Sequence, residues 1–202
     1  MQNRRSRNNE ATIEFVIKTS QSYDPDPDHS KKVSLLALDI FDDLQDIHGY
    51  GAGDRQLLEI ACRLHDIGWS RVVSGKHHKL SRDIILKLDI PGLTNSQRLM
   101  CALIARYHTK ALPDATRHRH FASLDRKQRE IVEWLAGMLR IADGLDCSHA
   151  NLVKRLKCTI NSKIVRINLE SAGNCGREME KARLKQELLL KKLERMIEYR
   201  CS

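Results

Sequence analysis

Aromatic side chains supply only 4% of this 202-residue chain, so its core has to be built from Leu, Ile, Val, Ala and Met. No apolar run approaches the roughly 18 residues that a membrane-spanning helix needs. The opening MQNRRSRNNE is basic but lacks the apolar stretch of a signal peptide. The six cysteines, at 62, 101, 147, 158, 175 and 201, contain no C-x-x-C pair, which excludes a zinc ribbon or a thioredoxin-type motif. A soluble, cytoplasmic protein with all six thiols reduced is expected, and Cys62 and Cys101 read as small buried hydrophobes. The length suffices for a sizeable core without disulfides or a structural metal.

Charge is present and uneven. The formal net charge is +9, and residues 151–202 hold 13 basic against 6 acidic residues, so most of the excess lies in the last quarter. Such a surface suits polyanions such as nucleotides, polyphosphate or RNA, and reads equally as a solvated helix face. Nucleic acid is not expected as a partner, because no aromatics interleave with the basic residues to stack on bases.

Residues 9–20 read as an opening helix that stops before DPDPD (24–28). Asp28 is expected to cap a helix starting at His29 or Ser30, with Val33, Leu36, Ile40, Leu44 and Ile47 on one face. GYGAG (49–53) breaks it. The next helix carries Leu57, Leu58, Ala61 and Leu64 inward and ends at His65-Asp66 before Gly68. A loop with Gly75 leads to a basic helix, KHHKLSRDIILKL, closed by PGL at 91–93. Another helix is expected to start at Ser96 and lead to Tyr107-His108, and the longest runs from about 126 to 147. LKCTI and KIVRINLE alternate around Asn161-Ser162 as a hairpin, and a charged helix is expected from about 177 to 199. The fold class is mainly α: a helical bundle over residues 1–150, with residues 151–202 a basic hairpin and final helix packed on it.

Residues able to bind a hard or borderline cation fall at helix ends or on core-patterned helices: His29, His65, Asp66, His77, His78, His108 and Asp143. Asp143 lies between Ile141-Ala142 and Leu145, and a buried carboxylate needs a cation or several donors. A salt bridge to Arg140 or Arg106 is the competing explanation. His48, His118 and His120 read as surface residues.

The order His29 … His65-Asp66 … Asp143 resembles the H…HD…D signature of the HD-domain metal-dependent phosphohydrolase superfamily. More narrowly, DHSKKVSLLALDIFDDLQDIHG, LHDIGWS, KHHKLSRDIIL, PGLTNSQRLMCALIARYHTKALP and LRIADGLDCSH, in that order, resemble the C-terminal HD-like domain of the exopolyphosphatase and guanosine-pentaphosphate phosphatase (Ppx/GppA) family. The hairpin and last helix also match that family's tail, so the likeness covers nearly the whole chain. The family's sugar-kinase-like N-terminal domains are not in this sequence, so a standalone module is expected. The family commonly has H-K-H-S where this chain has His78-Lys79-Leu80-Ser81.

The resemblance implies an HD-domain bundle that holds a divalent metal (Mn, Mg, Fe or Zn) on His29, His65, Asp66 and Asp143. His65 and Asp66 stand at the catalytic centre, and metal-activated water cleaves a phosphate ester or anhydride. A nucleotide, guanosine tetra- or pentaphosphate or a polyphosphate-like chain is the implied substrate. A second metal would be bridged by Asp66 and held by His108 and either His77 or His78. Lys79, Arg106, Lys110 and Arg140, each within a turn or so of a ligand, are candidates to cradle phosphate, with ordinary surface or ion-paired cations the competing reading. His149 either hydrogen-bonds the cleft or caps its own helix end. A homodimer is the expected assembly, and a non-catalytic polyphosphate- or nucleotide-binding module is the alternative function.

Overall fold

The computed structural model describes residues 2–71 and 75–201, with side chains from residue 9 onward. Residues 72–74, in the loop expected before the basic helix, lie outside the described residues. The fold is mainly α. A long helix α1 (Gln2–Tyr23) precedes α2 (Pro27–Asp43), a single turn α3 (Gln45–His48) and α4 (Ala52–Leu64). A 3₁₀ turn, Ile67–Arg71, leads towards α5 (His77–Ile85) and α6 (Asn95–Arg106). The short α7 (Arg119–Ala122) is followed by α8 (Arg126–Gly144). Then come β1 (Val153–Ile160), β2 (Ile164–Ser171), α9 (Gly176–Lys185), α10 (Glu187–Leu193) and β3 (Met196–Cys201). No described helix is long and apolar enough to cross a membrane.

Helices α2, α4, α6 and α8 pack as a ring, each against the next, with α2 closing on α8. Their apolar stripes meet inside it: Leu36 and Ile40, Ile60 and Leu64, Cys101 and Ile104, Leu135 and Leu139 are all fully buried. This is the three- and four-residue spacing of an amphipathic helix read out as core. Helix α1 lies on α4, and α5 lies on α6 and the 3₁₀ turn. Chain connectivity puts the start of α2, the ends of α4, α6 and α8 and the start of α5 at one end of the ring.

Three boundaries differ from the sequence reading. The cap of α2 is Asp26, not Asp28, because Pro27 takes the first helical position, where its missing N–H and preset φ cost nothing. Helix α6 begins at Asn95, with Thr94 and Gln97 forming a reciprocal capping box, one residue ahead of the expected Ser96. The charged final helix is two short helices broken at Gln186, and the chain then turns through Glu194 (φ 51°) into a strand. That strand, β3, pairs parallel with β2, which also pairs antiparallel with β1. Its alternation is short: only Ile197 and Tyr199 face inward. Cys175 and Cys201 are joined as a disulfide, against the expectation of six free thiols, while Cys62 and Cys101 are buried and free.

The C-terminal elements are seated on α8 by two glycines one heptad apart. A Cβ on Gly137 would meet the Leu189 backbone nitrogen at 2.9 Å, and one on Gly144 would meet that of Ala182 at 2.7 Å. Backbone cannot move aside as a side-chain tip can. Gly144→Ala is therefore expected to lower stability by about 1–3 kcal/mol by overpacking, read as an earlier midpoint in urea. A midpoint unchanged from wild type would mean that α9 does not rest on α8 in this way.

Candidate metal centre

His29 occupies the first turn of α2, in a socket made by the breaker-rich segment before it. Asp26 accepts the His29 backbone N–H at 3.1 Å through one oxygen. Its other oxygen lies 2.7 Å from His149 Nδ1, and the His149 ring stacks on that of His29 with centroids 3.9 Å apart. His149 thus hydrogen-bonds the cleft rather than capping its own helix. On the opposite edge, His29 Nδ1 meets Asp146 Oδ2 at 2.8 Å, and Asp146 also accepts the Asn151 N–H. His29 Nε2 then faces Asp143 Oδ1 at 3.4 Å.

His65 and His108 are held by a shared device. Each follows a helix C-terminus, where the last carbonyls lack helical donors. His65 Nδ1 bonds the Cys62 carbonyl at 2.7 Å and His108 Nδ1 bonds that of Ala105 at 2.6 Å. Only an N–H can bond a carbonyl, so Nδ1 carries the proton in both rings and Nε2 keeps a lone pair. Both Nε2 atoms point towards Asp66: Oδ2 is 3.6 Å from His65, and Oδ1 is 3.6 Å from His108 and 3.4 Å from His77. The His77 and His108 Nε2 atoms are 3.0 Å apart.

Gly68 brings His77 there. A Cβ on it would lie 2.2 Å from the His77 carbonyl oxygen, and its N–H donates to Ser81 Oγ at 3.0 Å. The start of α5 therefore rests directly on the turn after Asp66, and Trp69 from that turn stacks on the His77 ring with centroids 4.2 Å apart. The geometry separates the two histidines that spacing could not. His77 faces Asp66, whereas His78 makes no ion pair with a carboxylate among the described residues and is buried beside the charges of Arg106 and Lys79.

Asp143 has a partner that the sequence reading missed. Lys185, at the end of α9, ion-pairs with it, and neither Arg140 nor Arg106 does. Arg140 instead holds that lysine's backbone: its Nε donates to the Lys185 carbonyl at 3.1 Å and its Nη1 to the Tyr107 carbonyl at 2.9 Å. Two of its donors are thus spent on backbone, bracing the end of α9 against the end of α6. Lys110 is exposed in the left-handed turn after His108, and Lys79 and Arg106 line a different cleft. His118, read as a surface residue, bonds the Tyr107 hydroxyl at 2.9 Å and lines that cleft with His120.

Electrostatics follow from this packing. Burial would lower the His29 pKa, but Asp143 and Asp146 outweigh it and raise it to about 10. A cation between Nε2 and Asp143 would take the place of that ring proton. Burial would raise the carboxyl pKa of Asp143, yet Lys185 and His29 hold it well below the usual range. Burial also opposes ionisation of Asp66, yet its carboxyl is held below the usual value, His65 being the largest influence in that direction. The His108 ring is pushed down to about 3 by burial and by His65, so it stays neutral, as a metal ligand must be.

These residues fit a divalent ion. His65 Nε2 and Asp66 Oδ1 are buried without a hydrogen-bond partner, which a folded protein avoids unless something else satisfies them. Two groups could hold a metal, His29-His65-Asp66 and Asp66-His77-His108, the ligand atoms of each lying within 4.8 Å of one another. Asp66 belongs to both. A cavity of about 500 Å³ opens beside His29, lined by Lys31, Lys32, Asp146, His149 and Asn151.

The family described as Ppx/GppA phosphatase, domain III, matches residues 11–192.

Asp146 touches only the far nitrogen of His29, so its part is to orient and charge that ring. Asp146→Asn is expected to weaken Mn²⁺ affinity roughly 10–100-fold, the usual weight of a carboxylate behind a ligand histidine. Competition against a chelating dye measures this, and an unchanged affinity would mean that the Asp146 charge does not support metal binding at His29.

Proposed function

Because the chain belongs to the Ppx/GppA phosphatase domain III family, we propose that it is an HD-type metal-dependent phosphohydrolase cleaving a phosphate ester or anhydride. The observation that carries this reading is the buried Asp66 carboxylate, one oxygen facing His65 and the other facing His77 and His108. His29, His65, Asp66 and Asp143 would hold one ion, and His77 and His108 with the same Asp66 would hold a second. A bound divalent ion acidifies water and polarises a phosphoryl oxygen. Imidazole and carboxylate donors suit Mn, Fe, Zn or, with more oxygen ligands, Mg.

The chain's own groups do the rest. The i−3 carbonyl bonds of His65 and His108 fix their tautomers, so both rings present a lone pair without rearrangement. Lys185 brings a positive charge to the carboxylate edge, where negative charge on a phosphoryl group would gather. The cavity beside His29 gives a phosphorylated molecule room, with Lys31 and Lys32 at its wall. A nucleotide, guanosine tetra- or pentaphosphate and a short polyphosphate fit this chemistry.

The test is turnover of these substrates with Mn²⁺. Wild type is expected to release phosphate and Asp66→Ala to lose that activity. Lys185→Ala is expected to lower kcat by about 10²-fold, as removal of one charge-stabilising donor does, with KM little changed. Equal turnover by Asp66→Ala would overturn the reading. Metal-loaded protein that binds substrate without turnover would make the domain a non-catalytic polyphosphate- or nucleotide-binding module.

A further inference from the structure

Helices α5 and α6, which present His77 and His108 to Asp66, also carry Lys79, Arg82 and Arg106 to a separate cleft of about 330 Å³. Arg117 and Arg119 close it from the segment leading into α7. The cleft shares no residue with either metal-binding group. Among the described residues no carboxylate lines it, although the cavity beside His29 has three. Arg82 is paired with its neighbour Asp83, and Arg117 reaches Asp114 at 3.5 Å. Lys79, Arg106 and Arg119 have no carboxylate within ion-pair distance among the described residues.

Arg106 is the telling member. It is only 6% exposed, and its Nη1 has no hydrogen-bond partner. A guanidinium does not shed its proton, so a buried one without an acceptor is a standing cost unless an anion completes it. The Tyr107 ring lies under it, with the guanidinium carbon 5.6 Å from the ring centroid, which leaves the fork as its recognition edge. Of the five cations around the cleft, Lys79, Arg106 and Arg119 are left without a carboxylate partner among the described residues, and three unpaired charges exceed what one phosphate dianion balances.

We propose that this cleft is a second anion site, built for two or more linked phosphate groups and able to bind them without a metal ion. The bidentate fork of Arg106 takes one phosphate from below, and the exposed Lys79 and Arg119 take the next at the rim. The site does not depend on hydrolysis at Asp66, and it gives a polyphosphate or the phosphate tail of a nucleotide an anchor beside the ligand histidines.

The experiment is calorimetric titration of tripolyphosphate into protein stripped of metal on a chelating resin. One molecule per chain is expected to bind. Lys79→Ala/Arg119→Ala, two exposed positions whose loss leaves the core intact, is expected to weaken binding about tenfold or more. The control Lys87→Ala/Lys163→Ala removes the same charge elsewhere and is expected to leave it unchanged, as is Asp66→Ala. Orthophosphate is expected to bind at least about tenfold more weakly than tripolyphosphate. The proposal is overturned by no binding to metal-free protein, by equal loss in the control pair, or by orthophosphate binding as tightly as tripolyphosphate. Because the titration contains no metal, the hydrolase reading can fail while this site stands, and the reverse.

Discussion

A carboxylate buried among imidazoles is the constraint around which this fold is arranged. Asp66 cannot be ionised inside a helical bundle unless positive or polarisable partners reach it, and three histidines do so from α4, α5 and α6. Asp143 sets the same demand from α8, and α2 and α9 meet it with His29 and Lys185. All of these residues stand at helix ends. That is physically economical, because helix ends have unpaired backbone groups that can orient a ring, as the Cys62 and Ala105 carbonyls do. The ring of four helices supplies the opposite requirement, a dry and apolar body that keeps those ends fixed.

Much of this was legible in the sequence because it is local. The apolar periodicity marks the helices of the ring, and the order His29, His65-Asp66, Asp143 names residues that do converge. His108 follows from its place after an apolar helix. His77 and His78 are adjacent on a helix start and differ only in which side faces Asp66, which depends on how closely Gly68 lets α5 approach. Asp146 was within sight, three residues after Asp143 in ADGLD, and a second carboxylate one turn on was the signal for it.

What stayed hidden was non-local. Lys185 sits in a charged helix among many lysines, and nothing in its neighbourhood distinguishes it until α9 is laid on α8. The end of that stretch looked helical because Glu198 and Arg200 continue the charged pattern before it. Only pairing with β2, some thirty residues earlier, makes Ile197 and Tyr199 a strand face. Arg140 carries a charge suited to phosphate, but its surroundings turn it into a brace between two backbone segments. Side-chain type sets what a residue can do, and long-range packing selects which of those it does.

The contact between Lys185 and Asp143 joins residues 42 apart, across both strands of the hairpin. During vectorial synthesis the ring helices and every histidine of the cluster leave the ribosome before this lysine does. Until then Asp143 has His29 beside it but not the ammonium that balances it. The hairpin and α9 must therefore be in place before the site reaches its final charge state, so the last quarter of the chain serves as a completion step for a centre whose candidate ligands all lie in the first three quarters.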